Sequence, residues 1–329
     1  MNILVTGGSG FIGSGLVRAW VAEGHRVRVL DNGMRGQLRR LQTVDDKIEY
    51  IRADVRDAAA VDAATKGMDA VAHLAYINGT EFFYTKPELI LEIALKGLIN
   101  TVDAAIKHGV PEYWLMSSGE VYQTPEKVPT DETVTLKVPD PRNPRYSYGG
   151  GKIISELYAI NYGRKHFKRV TIVRPHNVYG PDMGWEHVIP QFIVRADRLH
   201  GEQSEGNLQF PIQGDGTQTR AFCYIDDFVE GCTLAFMKGE HLGIYHVGAM
   251  DEVPISRVAE EVVRCFGRTP TLVPSEEPAG QTQRRCPDIG RARALGYDPK
   301  VSLQEGVRRT TEWYRANLHL QSTNQMAKS

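Results

Sequence analysis

Residues 2–13 read Asn-Ile-Leu-Val-Thr-Gly-Gly-Ser-Gly-Phe-Ile-Gly: an apolar run, then glycines at 7, 10 and 13, opening directly into a helical pattern. No other stretch restricts the fold as much. A strand that becomes a helix within so few residues needs a backbone free of Cβ atoms. Gly7 allows the tight turn, Gly10 the close approach of a pyrophosphate, and Gly13 close packing of helix on strand. The helix start then offers N–H groups and a positive dipole end to phosphate. The plain alternative is a β–α turn whose glycines serve geometry alone.

The same alternation continues. Short β-rich runs fall at 2–5, 26–30, 48–51, 70–74, 113–116 and 170–173, with helical spacing at 12–23 and 87–108 between them. Such a pattern builds right-handed βαβ units and a parallel sheet covered on both faces, so the strands lack polar alternation. The expected fold class is α/β. After about Pro175, proline and glycine become frequent and helices are expected at 188–200, 227–238, 256–266 and 303–316. This suits a smaller C-terminal domain. The boundaries expected are 1–175 for the first domain with 221–250 returning to it, 176–220 and 251–316 for the second, and a frayed polar tail within 317–329.

Composition narrows the class. The chain has 329 residues, 41% of them hydrophobic, so it can build a core, and 39 basic against 40 acidic residues leave a net charge of −1. That balance gives no general field for nucleic acid or anionic membrane. No apolar run approaches the roughly 18 residues that span a bilayer. The first strand starts at once without a basic leader region, and Cys223, Cys232, Cys265 and Cys286 form no CxxC pair. A cytoplasmic protein with reduced thiols is expected.

Acidic residues refine the ligand. Asp31 ends the second strand, where a carboxylate can bind adenosine ribose hydroxyls and repel a 2′-phosphate, favouring NAD; nearby Arg35 keeps NADP open. Asp54 ends the third strand and is placed to touch the adenine edge. Helix capping is the alternative for Asp54, and more so for Asp57.

Tyr148 and Lys152 form a YxxxK pair, so both project from one helix face. A lysine cation near a phenol lowers the phenol's pKa, and such a tyrosine can take an alcohol proton while a nicotinamide takes the hydride. Between them lie Gly149, Gly150 and Gly151, each costing a helix about 1 kcal/mol relative to alanine. That cost implies close approach by a ligand or another helix; otherwise these glycines belong to a loop. Tyr146, two residues earlier, is not part of the pair. Ser118, at the carboxyl end of a strand, faces the crevice where parallel sheets bind ligands.

With these pieces in place, the chain resembles the extended short-chain dehydrogenase/reductases, specifically the nucleotide-sugar epimerase/dehydratase family. The resemblance rests on TGGSGFIG at 6–13, DN at 31–32, ADVRD at 53–57, HLA at 73–75, SSGEVY at 117–122, YGGGK at 148–152, RPHNVYGP at 174–181, GDGTQTRAFCYIDD at 214–227 and RRCPDIGRA at 284–292. It implies a Rossmann-type, doubly wound parallel sheet holding NAD, and a smaller C-terminal substrate domain, with a nucleoside diphosphate sugar in the cleft between them. NAD would lie against Gly7, Gly10, Phe11, Ile12, Gly13, Asp31, Asn32, Asp54, Val55, Leu74 and Ala75, and against Tyr148 and Lys152. Ser118, Tyr148 and Lys152 match the catalytic set. Asn177 matches a substrate-binding asparagine, and Arg220 and Arg285 the arginines that grip a pyrophosphate. The family passes through a transient 4-keto sugar and returns the hydride in the same site.

Glu120 stands where family dehydratases and sugar-acid decarboxylases carry a glutamate, and is expected to remove a C5 proton, with Lys152 helping to keep it ionised. Gly119 departs from the acid of dehydratases and from the hydroxyl residue of decarboxylases. Ala94 and Leu98 depart from an NxxGT segment. His176 replaces a small or apolar residue and is expected to shape the sugar pocket with Trp185, Glu186 and His187. No metal is expected. Decarboxylation and a net NAD(P)H-dependent reduction are the enzymatic alternatives, and a non-catalytic NAD-binding regulator the third. A homodimer is expected through helices 87–108 and 148–165, which carry Leu89, Ile90, Ile93 and Leu98, and Ile153, Ile154, Leu157 and Ile160.

Overall fold

Seven strands, all parallel, form the main sheet of the computed structural model, which describes residues 1–203, 205–276 and 283–321. They are β1 (Asn2–Thr6), β2 (Arg26–Leu30), β3 (Ile48–Ile51), β4 (Ala70–His73), β5 (Glu112–Met116), β6 (Arg169–Pro175) and β7 (Gly243–Val247). Their order is β7-β6-β5-β4-β1-β2-β3. The chain winds outward from β1 to β3, then crosses back to place β4 on the other side of β1. That reversal opens a crevice at the carboxyl ends of β1 and β4, where doubly wound sheets take their ligands.

Both faces of the sheet are covered. Ile3, Leu4 and Val5 of β1 are wholly buried, which is why the strand shows no alternation. Helices α1 (Phe11–Ala22), α2 (Ala58–Thr65), α3 (Thr80–Thr85), α4 (Pro87–Lys107) and α5 (Ser147–His166) belong to this part of the chain. Trp20 of α1 meets Trp114 of β5 edge-on at 5.5 Å, and Trp114 stacks on Phe236 at 5.2 Å.

One expectation about α4 needs correcting. Ile90, Ile93 and Leu98 pack inside the protein's own core, because helical periodicity puts them on the face turned to the sheet and α5. The apolar residues left outside on α4 and α5 are Ile99, Ile154, Leu157 and Tyr162.

The chain divides into two compact units. The first comprises Met1–His176, Phe228–Val247 and Asp288–Asp298. The return to the first unit thus begins later than expected, and a further short return, with helix Gly290–Ala294, comes from a stretch expected in the second. The second unit holds Asn177–Asp227, Gly248–Pro287 and the described residues from Pro299 on. It contains helices Val188–Glu202, Ile255–Arg264 and Leu303–Ala316, and a parallel strand pair, Leu208–Gln213 with Pro270–Ser275. On the first of those strands Leu208, Phe210 and Ile212 face in and the residues between face out, the period of two expected of a half-covered strand. Most of the expected tail, 322–329, lies outside the described residues. No described helix is long and apolar enough to cross a membrane.

Candidate active site

The glycine turn admits no side chain at Gly7 or Gly13. Gly7 adopts φ +73°, and a Cβ there would sit 2.8 Å from the Ala75 amide nitrogen. A Cβ on Gly13 would come within 2.2 Å of the Gly7 carbonyl oxygen. α1 can therefore pack onto the turn only through glycine. Gly10 is the N-cap of α1 and no side chain caps the helix, so the amides of its first turn are left to a ligand anion. Across the switch point, Thr6 Oγ1 accepts from the Leu74 and Ala75 amides, both at 3.2 Å, which pins the end of β4 beside the turn.

Asp31 and Asp54, expected on the adenosine side, both have their carboxylates engaged within the protein. Asp31 is buried and accepts from the Ser9 amide at 3.1 Å and the Gly33 amide at 2.8 Å. Gly36 crosses over it so closely that a Cβ would lie 2.7 Å from a carboxylate oxygen. Asp54 accepts from Asn32 Nδ2 at 2.9 Å and from Arg56 Nε at 3.0 Å, and the Arg56 bonds hold its carboxyl down at about 2. Asp57 is the residue that caps α2, accepting from the Ala59 and Ala60 amides, whereas Val55 packs where a Cβ on Gly97 would be. A glycine cradle, an uncapped helix start and a carboxylate at the end of β2 fit NAD. Gly7, Gly10, Gly13 and Asp31 would hold it.

Ser118, Tyr148 and Lys152 come together at the ends of β5 and the start of α5. All three are buried, and Ser118 is close enough to Tyr148 to act on its phenol. The expected lowering of the phenol is absent. Burial pushes Tyr148 up to about 12 against the pull of the Ser118 hydroxyl, and the charge of Glu120 adds to the rise. Lys152 is pushed down to about 7 by burial, with Glu156 opposing. Its Nζ donates to the Met116 carbonyl oxygen at 2.7 Å and stands 5.9 Å from the centre of the Tyr148 ring. The carboxylate acting on Lys152 is thus Glu156, and Glu120 acts on Tyr148 instead. The expected Glu120–Lys152 pairing is replaced by this arrangement.

The three glycines are helical, so the loop alternative falls. Their close neighbours belong to the protein itself. A Cβ on Gly149 would meet Gln123 Nε2 at 2.5 Å, and one on Gly151 would meet the Tyr76 hydroxyl at 2.2 Å and Ala94 Cβ at 3.1 Å. Gly150 has only Val138, at an ordinary 3.5 Å.

Beneath the pair lies a polar network that the motifs did not disclose. Glu156, one helical turn beyond Lys152, accepts from Arg174 Nε at 2.9 Å and Nη2 at 2.6 Å, and from Ser117 Oγ. Arg174 also donates to the Tyr122 hydroxyl, which in turn donates to His246 Nε2 at 2.7 Å. The His246 Nδ1–H completes the chain at the Asp288 carbonyl, 3.1 Å away. The spacing Tyr148, Lys152, Glu156 signals the first of these residues, since i, i+4 and i+8 share a face.

Gly119 and His176 explain each other. A Cβ at Gly119 would sit 2.6 Å from His176 Cε1 and 2.8 Å from Nδ1, so the imidazole fills the room a side chain at 119 would take. His176 is buried, packed edge-on against His246 at 4.6 Å, with its amide bonded to the Val247 carbonyl.

Within the second unit, Arg220 on strand Thr219–Ala221 and Arg285 on strand Arg284–Arg285 are partners in parallel register, which puts them on one face. Asn177 adopts φ +40° and donates to the Ala221 carbonyl at 3.2 Å, beside Arg220.

Fold and site define a dinucleotide-binding enzyme with a tyrosine–lysine pair at the mouth of its sheet. The profile of the NAD dependent epimerase/dehydratase family matches residues 3–248, and the chain belongs to that family. It is an enzyme and its cofactor is NAD. It is 31% identical over 320 residues to UDP-glucuronic acid decarboxylase 1 of Arabidopsis thaliana, covering 96% of this chain and 70% of the relative. Its structure resembles the dTDP-glucose 4,6-dehydratase of Streptomyces venezuelae solved with NAD, with TM-score 0.84, 30% identity, and 97% and 98% of the two chains covered. The UDP-glucose 4-epimerase of Thermotoga maritima gives TM-score 0.84 at 29% identity, covering 97% and 100%.

Proposed function

We propose that this enzyme acts on a nucleoside diphosphate sugar through a transient 4-keto sugar, as an epimerase or dehydratase with no net redox change. The carrying observation is the constellation at β5 and α5: buried Tyr148 beside Ser118, Lys152 one turn on, and Glu120 close enough to act on the phenol. NAD, which Gly7, Gly10, Gly13 and Asp31 would hold, would supply the hydride acceptor for this chemistry. Tyr148 takes the C4 hydroxyl proton, with Ser118 holding that oxygen. For this its phenol must come down from about 12, and an ammonium on Lys152 would be the charge that favours the phenolate. Glu120 then removes the C5 proton, which the C4 ketone has made acidic. Arg220 and Arg285 grip the diphosphate, since paired guanidinium forks suit phosphate oxygens.

A second reading, decarboxylation of a sugar acid, draws support from Gly119. His176 excludes an acidic side chain there, and a 4-keto acid loses carbon dioxide without an acid to protonate a leaving hydroxyl. The homodimer belongs to the same proposal, now through Ile99, Ile154, Leu157 and Tyr162. Residence in the cytoplasm is supported by four cysteines with no disulfide among them.

The test is a panel of nucleotide sugars and sugar acids given to the NAD-loaded protein, with products read by mass and NMR. Unchanged mass means epimerisation, loss of water dehydration, and loss of carbon dioxide decarboxylation. Tyr148→Phe should keep NAD and lose turnover by about 10²–10⁴-fold. Glu120→Gln should halt after oxidation, so absorbance at about 340 nm builds up and solvent deuterium no longer enters C5. Normal turnover in Tyr148→Phe would sink the reading.

A further inference from the structure

Tyr76 lies just past the His73-Leu74-Ala75 motif and is part of no motif. Three observations tie it to the tyrosine–lysine pair. Its ring covers the Lys152 ammonium, with Nζ 3.8 Å from the ring centre. The same ring meets Tyr148 edge-on at 5.1 Å, and its hydroxyl donates to the Tyr148 carbonyl oxygen at 3.4 Å. Gly151 and Ala94 are small where Tyr76 passes, since a Cβ on Gly151 would lie 2.2 Å from the Tyr76 oxygen. We propose that Tyr76 is a positioning residue, whose aromatic face holds the Lys152 ammonium in place beside Tyr148.

This rests on the acid–base roles proposed above for Tyr148 and Lys152. Few other groups can perform the task. The titratable groups facing Lys152 are His73 from β4, Tyr76 from the segment after β4, and Tyr148 and Glu156 from α5; β5 contributes the Met116 carbonyl. Burial, then the lysine charge, holds His73 neutral at about 3, and burial keeps the Tyr76 phenol protonated. Among the described residues Glu156 is the charge that compensates Lys152, and Ser117 and Arg174 share it. A π face favours the ammonium without itself titrating. Burial has brought Lys152 to about 7, so a modest preference decides how much of it is charged at neutral pH.

The sign follows. The reaction needs Lys152 charged, so the rate falls as pH rises through its pKa, and removing a contact that favours the cation brings that fall to lower pH. The experiment measures kcat/KM against pH for the NAD-loaded enzyme, using the sugar identified by the panel, with melting curves to check folding. Tyr76→Leu keeps an apolar wall and removes the π face, and should move the alkaline limb down by about one pH unit with KM little changed. Tyr76→Phe keeps the face and should leave that limb where it stands in the wild type, whatever the lost hydroxyl bond does to kcat. Progressively fluorinated phenylalanines at position 76 weaken the quadrupole at constant shape and should move the limb in steps, which decides the matter even if the leucine variant does not fold. A limb that does not respond to fluorination overturns the inference. Tyr148→Phe, run alongside, separates the two failures. If it is inactive while the limb stays fixed, only Tyr76 is wrong; if it turns over normally, the acid–base reading falls as well and takes Tyr76 with it.

Discussion

His246 shows how far one side chain's chemistry is set by its neighbours. It is wholly buried, accepts from Tyr122 and donates to the Asp288 carbonyl, so it has one hydrogen bond for each ring nitrogen of the neutral form. Burial, then the charge of Arg174, holds its pKa near 3. The unfolded chain binds a proton there at about 6.5 and the folded protein does not, so stability falls as pH drops from about 6.5 towards 3. His246→Gln should flatten that slope in urea denaturation followed from pH 7 to 4, even if it costs stability at neutral pH. An equal slope in both proteins would contradict the assignment. His246 belongs to no short motif, and its partner Tyr122 lies 124 residues away in the chain. The sequence could not disclose it for that reason.

At the scale of elements, the opening of α5 separates what local pattern reveals from what it hides. The YxxxK spacing and the helix itself were legible, because a four-residue repeat on one face is a local property. The reason for three glycines was not. Gln123 crowds Gly149 and Tyr76 crowds Gly151, and Tyr76 also bonds the Tyr148 carbonyl 72 residues away in the chain. The pattern of contacts makes a sharp prediction. Gly150→Ala should stabilise the protein by about 1 kcal/mol, because helix propensity improves and nothing is displaced. Gly149→Ala and Gly151→Ala should destabilise it, since backbone or a packed ring must move. Thermal melts of the three variants check the ranking. The same distinction covers the nucleotide end: the glycine turn and Asp31 could be read from the chain, whereas the Arg56 clamp on Asp54 and the glycine at 36 lying over Asp31 needed the folded loops.

For the molecule as a whole, the expected dimer face changed residues. Periodicity correctly marked α4 and α5 as carrying more apolar surface than one stripe, but it could not say which stripe the sheet would take. Ile90, Ile93 and Leu98 went inside, leaving Ile99, Ile154, Leu157 and Tyr162 outside. Leu157→Glu should therefore bring the light-scattering mass from twice 36.7 kDa to 36.7 kDa without lowering the melting temperature of the monomer's core. A wild-type mass of 36.7 kDa at all concentrations would dismiss the dimer.

The first unit is drawn from three separated stretches of chain, the last ending at Asp298. A ribosome delivers β1 to β6 well before β7, the strand that covers the outer side of β6. Until the intervening residues have been made, β7 is missing and the side of β6 that it will cover has no partner strand, so that side stays an edge able to pair with another strand. Synthesis of the second unit's first segment thus falls in the interval when β6, an inner strand of the finished sheet, is still an edge.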